Sequence, residues 1–110
     1  MKVVVFGYSD NPERHSNIAF HLLNEYGHET FKYNPREHES SDLPEHCDTV
    51  TLYMSAAISD KFSDVLMDLD FKRIIFNPGT ENPALEKKLT IKGVEVIHGC
   101  TLVMLRTNQF

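Results

Sequence analysis

The residues best suited to chemistry form the run Gly7-Tyr8-Ser9-Asp10-Asn11-Pro12-Glu13-Arg14-His15-Ser16. Gly7 permits close backbone approach. Ser9 and Ser16 bring hydroxyls, and Arg14 brings a guanidinium that grips phosphate through two parallel bonds. A helix opening near Ser16 adds free N–H groups at its positive dipole end. Together these types make an anion cradle, to which His15 can donate as well. The competing reading is an ordinary polar turn with Arg14 solvated. Farther on, Lys32 and Arg36 bracket Tyr33-Asn34-Pro35 and suit a phosphorylated ribose, or are plain surface charges.

Other chemistry finds less support. The dinucleotide fingerprint requires three glycines and a later carboxylate, and only Gly7 is present. There is no Gly-x-Ser-x-Gly elbow, no phosphate-loop motif and no carboxylate pair placed for acid–base work, so no catalytic residue is assigned. The two cysteines, Cys47 and Cys100, make no disulfide framework. Cys100 has His98 nearby to activate its thiol, against the simpler reading of a small apolar residue. The six histidines fall into no zinc spacing, so no metal site is expected.

The elements that must position these residues alternate in type. Val3–Phe6 reads as a strand buried on both faces, and Ser16 caps a helix whose apolar stripe is Ile18, Ala19, Leu22, Leu23 and Tyr26. Glu29–Tyr33 is a second strand. Arg36–Cys47 is a polar loop with at most one helical turn, and Asp48–Met54 is a third strand. Ser55 or Ser59 caps a helix carrying Ile58, Phe62, Val65, Leu66 and Leu69. Arg73–Phe76 is a fourth strand, and Asn82-Pro83 opens a short helix ending at Gly93. Val94–Ile97 is a fifth strand. The tail from Cys100 to Leu105 is a strand or a closing helix, and Leu105 and Phe110 either complete the core or serve a homodimer.

This alternation predicts one α/β domain over residues 1–110: a Rossmann-like doubly wound sheet of five parallel strands, order 3-2-1-4-5, with helices on both faces. Ligands of such sheets sit beyond the carboxyl ends of the strands where the order reverses, here expected between strands one and four.

Composition narrows the partners. Eleven basic and sixteen acidic residues give a formal charge of −5, with no basic block to attract nucleic acid or an anionic membrane. No apolar run is long enough to span a bilayer, and the opening run is too short for a secretion signal. A cytoplasmic protein with free thiols is expected.

The pattern Gly7-x-Ser9-x-Asn11-Pro12-x-Arg14-x-Ser16, opening an amphipathic helix and followed by Tyr33-Asn34-Pro35, resembles the stand-alone CoA-binding domain family. That family is similar to the nucleotide-binding domain of the succinyl-CoA synthetase α subunit. The resemblance covers nearly the whole chain. It implies phosphate contacts from Gly7, Ser9, Asn11, Arg14 and Ser16, and an adenosine end near Asn34 and Pro35. It implies a pocket wall of Tyr53, Met54, Ser55 and Ala56, and a pantetheine side at Asn77, Gly79, Glu81 and Asn82. Two departures stand out. The family often has an Arg soon after the third strand, where this chain has Met54-Ser55. The family's Asp-Arg-Cys segment with a following Glu is here His98-Gly99-Cys100-Thr101, with Met104 at the Glu position.

Three functions fit this frame. The first is a module that binds coenzyme A or acyl-CoA without catalysing. The second is a small NADP-binding oxidoreductase or one subunit of a CoA ligase. The third is a regulatory or interaction domain with a degenerate nucleotide site.

Overall fold

The computed structural model describes all residues, Met1–Phe110. Five parallel strands form one sheet: β1 (Lys2–Phe6), β2 (Glu29–Tyr33), β3 (His46–Leu52), β4 (Asp70–Phe76) and β5 (Glu95–His98). Helices α1 (His15–Glu25) and α5 (Thr101–Arg106) cover one face. The other face carries α2 (Ala56–Ser59), α3 (Ser63–Asp68) and α4 (Pro83–Lys92). Single 3₁₀ turns lie at Ser40–Asp42 and Asp60–Phe62.

Side chains along a strand point alternately to opposite faces, and β1 supplies both cores in this way. Val4 and Phe6 enter the larger cluster with Val50, Leu52, Ile74, Phe76, Leu66, Leu85 and Leu89. Val3 and Val5 enter the smaller one with Tyr8, Leu23 and Leu105. Each fully buried Leu, Ile or Phe stabilises the fold by about 1.5–3 kcal/mol relative to exposure.

The architecture is the expected Rossmann-like one, with a different strand order. The sheet runs β2-β1-β3-β4-β5, because Val4 of β1 pairs with Phe31 on one side and with Val50 on the other. The expected 3-2-1-4-5 order would have put β2 in the interior. Glu29 and Lys32 are exposed on β2, which suits an edge, whereas Thr49–Leu52 of β3 are fully buried and suit the centre. The order therefore reverses between β1 and β3, one strand nearer than anticipated.

Several boundaries also shift. The first helix begins at His15 with Arg14 as its cap residue, and Ser16 lies inside the first turn. The third strand starts at His46, so Cys47 is a buried strand residue rather than a loop residue. The fourth starts at Asp70. The segment after β3 is two short helices joined by a 3₁₀ turn in place of one helix. The α4 signals hold: the Asn82 side chain accepts from Leu85 N, Pro83 opens the helix, and Gly93 ends it at φ 100°. The tail is helical. Leu105 is buried and Phe110 packs against the smaller core, so both complete this chain's own core.

Candidate functional site

The carboxyl ends of β1, β2, β3 and β4 open onto one cavity of about 700 Å³, a size suited to a cofactor. Its floor begins at Gly7, where the chain leaves β1 at φ 102°. A Cβ on Gly7 would lie 2.7 Å from the Tyr53 carbonyl oxygen. The glycine is thus required by the close approach of the segment after β3, a tertiary demand rather than one made by a ligand. Gly7 and Tyr8 both donate to Tyr33 O, at 2.8 and 3.1 Å, which ties the loop after β1 to the end of β2.

That loop is folded by its own polar groups. The Ser9 N–H donates to the Ser16 hydroxyl at 3.1 Å, leaving the Ser16 proton free to donate outward. Asn11 N–H donates to Ser9 Oγ, and Asn11 Oδ1 accepts from Glu13 N–H. Buried Asn17 braces the loop from within α1, donating to Tyr8 Oη at 3.1 Å and Ser9 O at 3.0 Å. With the turn fixed, the His15 and Ser16 N–H groups at the first turn of α1 have no acceptor in the protein. Arg14 and His15 line the cavity beside them, so donors and a guanidinium converge at a positive helix end.

Ten of the fifteen contact residues implied by the resemblance line this cavity: Gly7, Ser9, Arg14, Ser16, Asn34, Pro35, Tyr53, Met54, Ser55 and Gly79. Arg36 lines it too, while Lys32 does not. The Lys32 ammonium instead sits 5.4 Å from the Tyr8 ring centroid and 5.9 Å from that of Phe20. Sequence reasoning missed Ile58, Phe62, Pro78 and Thr80 on the far wall. Ile58 and Phe62 have the spacing of an apolar helical stripe; both pack against the larger core and border the cavity as well.

Five of the implied contacts do not line it: Ala56 opens α2 outside the lining, and the other four have structural work. Asn11 shapes the loop as described. Asn77 is 2% exposed; its Nδ2 donates to Thr51 Oγ1 and Leu52 O at 2.8 Å each, and its Oδ1 accepts from Thr101 N–H at 2.9 Å. It fastens β4 to β3 and to α5. Asn82 caps α4, and its Nδ2 donates to Ser59 Oγ and Asp60 Oδ1. The Glu81 carboxylate accepts from Gly79 N–H. Asn34 lines the cavity but spends its side chain inward, donating to Tyr8 O at 2.9 Å and accepting from Arg36 N–H at 3.0 Å.

Titratable groups divide the same way. Burial, the dominant cause, pushes the Tyr53 phenol up to about 12 against a smaller opposing pull from the Thr101 and Thr51 hydroxyls. That hydroxyl is buried and no hydrogen bond of ordinary geometry reaches it. Burial likewise pushes the Cys47 thiol up to about 12. Cys100 is half-buried at the start of α5, outside the cavity lining. The His98 ring pairs with α4, its Nε2 2.5 Å from Glu86 Oε1. Cys47 lies near the amino end of β3 and Cys100 beyond the carboxyl end of β5, so the parallel sheet holds them at opposite ends. No three His, Cys, Asp or Glu side chains gather where they could hold a metal ion. No helix is long and apolar enough to cross a membrane.

A family model described as "CoA binding domain" matches residues 1–106. No curated protein matches the chain. Among solved structures, the crystal structure of an uncharacterized protein is 31% identical with a TM-score of 0.85, over 99% of this chain and 97% of the other. A conserved hypothetical protein from Pyrococcus furiosus is 26% identical with a TM-score of 0.78, over 93% of this chain and 97% of that one. A Thermus thermophilus structure, 20% identical with a TM-score of 0.87 over 99% and 90% of the chains, shares the fold.

Proposed function

The chain belongs to the CoA-binding domain family, and from that premise we propose that it is a module for coenzyme A or an acyl-CoA, carrying out no reaction of its own. The observation that carries this reading is the first turn of α1, where unpaired His15 and Ser16 N–H groups, the Ser16 hydroxyl and Arg14 face one cavity. In a chain of net charge −5, such a local donor set is what an anion requires.

The residues present fit the cofactor. The α1 amides and Arg14 would hold its diphosphate, and Arg36 would read its ribose phosphate. Ile58, Phe62 and Met54 offer an apolar wall to the pantetheine or acyl end. The end of β2 fits NAD poorly, because Asn34 stands where a ribose-binding carboxylate belongs and its side chain is committed to Tyr8 and Arg36.

A thermal-shift panel of CoA, acetyl-CoA, dephospho-CoA, NAD, NADP, ATP and AMP tests the assignment. A ligand at about 100 times its Kd stabilises by about 2.7 kcal/mol, about 10 °C for a domain of this size. The expected order is CoA and acetyl-CoA above dephospho-CoA, with NAD and AMP near baseline. A larger shift with NADP than with CoA would replace this reading with the oxidoreductase one.

A further inference from the structure

We propose that His38, which lies outside the cavity lining, is a positioning residue for the ligand wall and makes ligand affinity depend on pH. This inference rests on the CoA reading of the same site.

The observation is a single hydrogen bond. The Asn34 backbone N–H donates to His38 Nδ1 at 2.9 Å. A backbone N–H can only donate, so Nδ1 must carry a bare lone pair and the ring must be the neutral Nε2–H form. Protonation of His38 would turn Nδ1 into a second donor facing the first. The bond cannot survive that change.

What hangs on the bond is the cavity wall. Asn34 O accepts from Glu37 N–H and His38 N–H at 2.9 and 2.8 Å, closing one turn of chain around Pro35 and Arg36. The Asn34 side chain reaches across to Tyr8 O and back to Arg36 N–H. Asn34 is thus held through its N–H, its carbonyl and both ends of its side chain, and the His38 ring is the one partner whose acceptor is lost on protonation. Asn34, Pro35 and Arg36 all line the cavity. Freeing Asn34 N–H loosens the turn that presents Arg36 and the link that ties it to the loop after β1.

The Tyr33 ring faces the His38 ring from β2, centroids 6.0 Å apart. The Asp42 carboxylate, on the adjoining 3₁₀ turn, acts on Tyr33 and accepts from Glu39 N–H. Arg36, Glu37 and Glu39 are its charged neighbours along the chain. Histidine is the side chain whose charge ordinarily changes between about pH 5 and 8. His15, inside the cavity, has the opposite sign, because its protonation favours an anion. The ribose phosphate also gains a proton as pH falls, which weakens its hold. Both effects are common to the wild type and to any His38 variant.

Calorimetric titration with CoA at pH 8 and pH 5.5 is done on the wild type, His38→Asn and His38→Ala. Asn places an acceptor oxygen one bond beyond Cγ, as Nδ1 is, and that oxygen does not titrate. The expected result is that the wild type loses about 3–10-fold more affinity than His38→Asn between the two pH values. His38→Ala should be weaker than both at pH 8 by a similar factor. Equal pH profiles for wild type and His38→Asn would overturn the proposal. Should CoA fail to bind at pH 8, the CoA reading falls, and the device is then judged on the ligand-free protein. There the Asn34 amide should gain hydrogen exchange as the His38 ring titrates in NMR spectra, and an amide indifferent to that titration would refute it.

Discussion

Replacing Asn77 by Ala should unfold this protein far more readily than it should weaken ligand binding. The side chain is almost wholly buried and makes three hydrogen bonds, to Thr51 Oγ1, Leu52 O and Thr101 N–H. Thr51 keeps a partner after the change, because its hydroxyl also bonds Thr101 Oγ1 at 2.7 Å. The Leu52 carbonyl and the Thr101 amide do not. Each buried group left unpaired costs about 1–3 kcal/mol, so the substitution should cost about 3–5 kcal/mol. Against a total of about 5–15 kcal/mol that is a large share. In urea melts followed by circular dichroism the midpoint should fall by about 2 M, given a slope of about 1–3 kcal/mol per M. A loss below about 1 kcal/mol would refute the claim that Asn77 fastens α5 and β3 to β4. Asn77→Asp sharpens the test. Its carboxylate could still accept from Thr101 N–H but would oppose the Leu52 carbonyl oxygen. Its folded-state pKa should therefore rise above the unfolded value of about 3.9. The variant should then be most stable at low pH and lose stability, relative to wild type, as pH rises through that folded pKa. A variant steadier at pH 8 than at pH 4 would contradict this.

Arg14→Ala should weaken CoA binding by about 1.5–3 kcal/mol with little change in melting temperature, and unchanged affinity in calorimetry would remove Arg14 from the site. Gly7→Ala should cost about 3 kcal/mol or more, since the new methyl combines a positive φ with a 2.7 Å approach to the Tyr53 carbonyl; a near-wild-type urea midpoint would show that the two loops separate easily. Cys47 should resist thiol reagents in the native state while Cys100 reacts, so that one thiol titrates before denaturation and two after it; early reaction of both would contradict the burial that raises Cys47 to about 12. The same shift fixes an alkaline sign: the unfolded thiol ionises from about 9 and the folded one does not, so stability present below pH 9 should drain away as pH climbs toward 12, and a Cys47→Ala variant should lose less.

Much of the site was legible because its first half is local. The run from Gly7 to Ser16 carries its own capping residue, hydroxyls and guanidinium within ten positions, so chain order alone brings them together. The far wall was not legible in this way. Ile58 and Phe62 look like core residues, and only the fold shows that they also border the cavity beside Pro78 and Thr80. Asn77 and Asn82 were not legible for the opposite reason. An asparagine at a strand end suits a ligand or a buried bracket equally well, and only the neighbours across the fold, Thr101 for one and Ser59 for the other, assign the bracket.

Alternation of β-rich and helical segments determined five parallel strands and two helical layers, because period-2 and period-3.6 patterns cannot exchange places. The same chain order set the polar run from Gly7 to Ser16 at the carboxyl end of β1, where the cavity opens. Tertiary structure decided the rest. It set β3 rather than β2 in the middle of the sheet, since the charges of Glu29 and Lys32 require an edge and Thr49–Leu52 tolerate burial on both faces. It also set which polar side chains remain free for a ligand. That follows from which buried donors and acceptors each must first satisfy, and those partners lie far away in the chain.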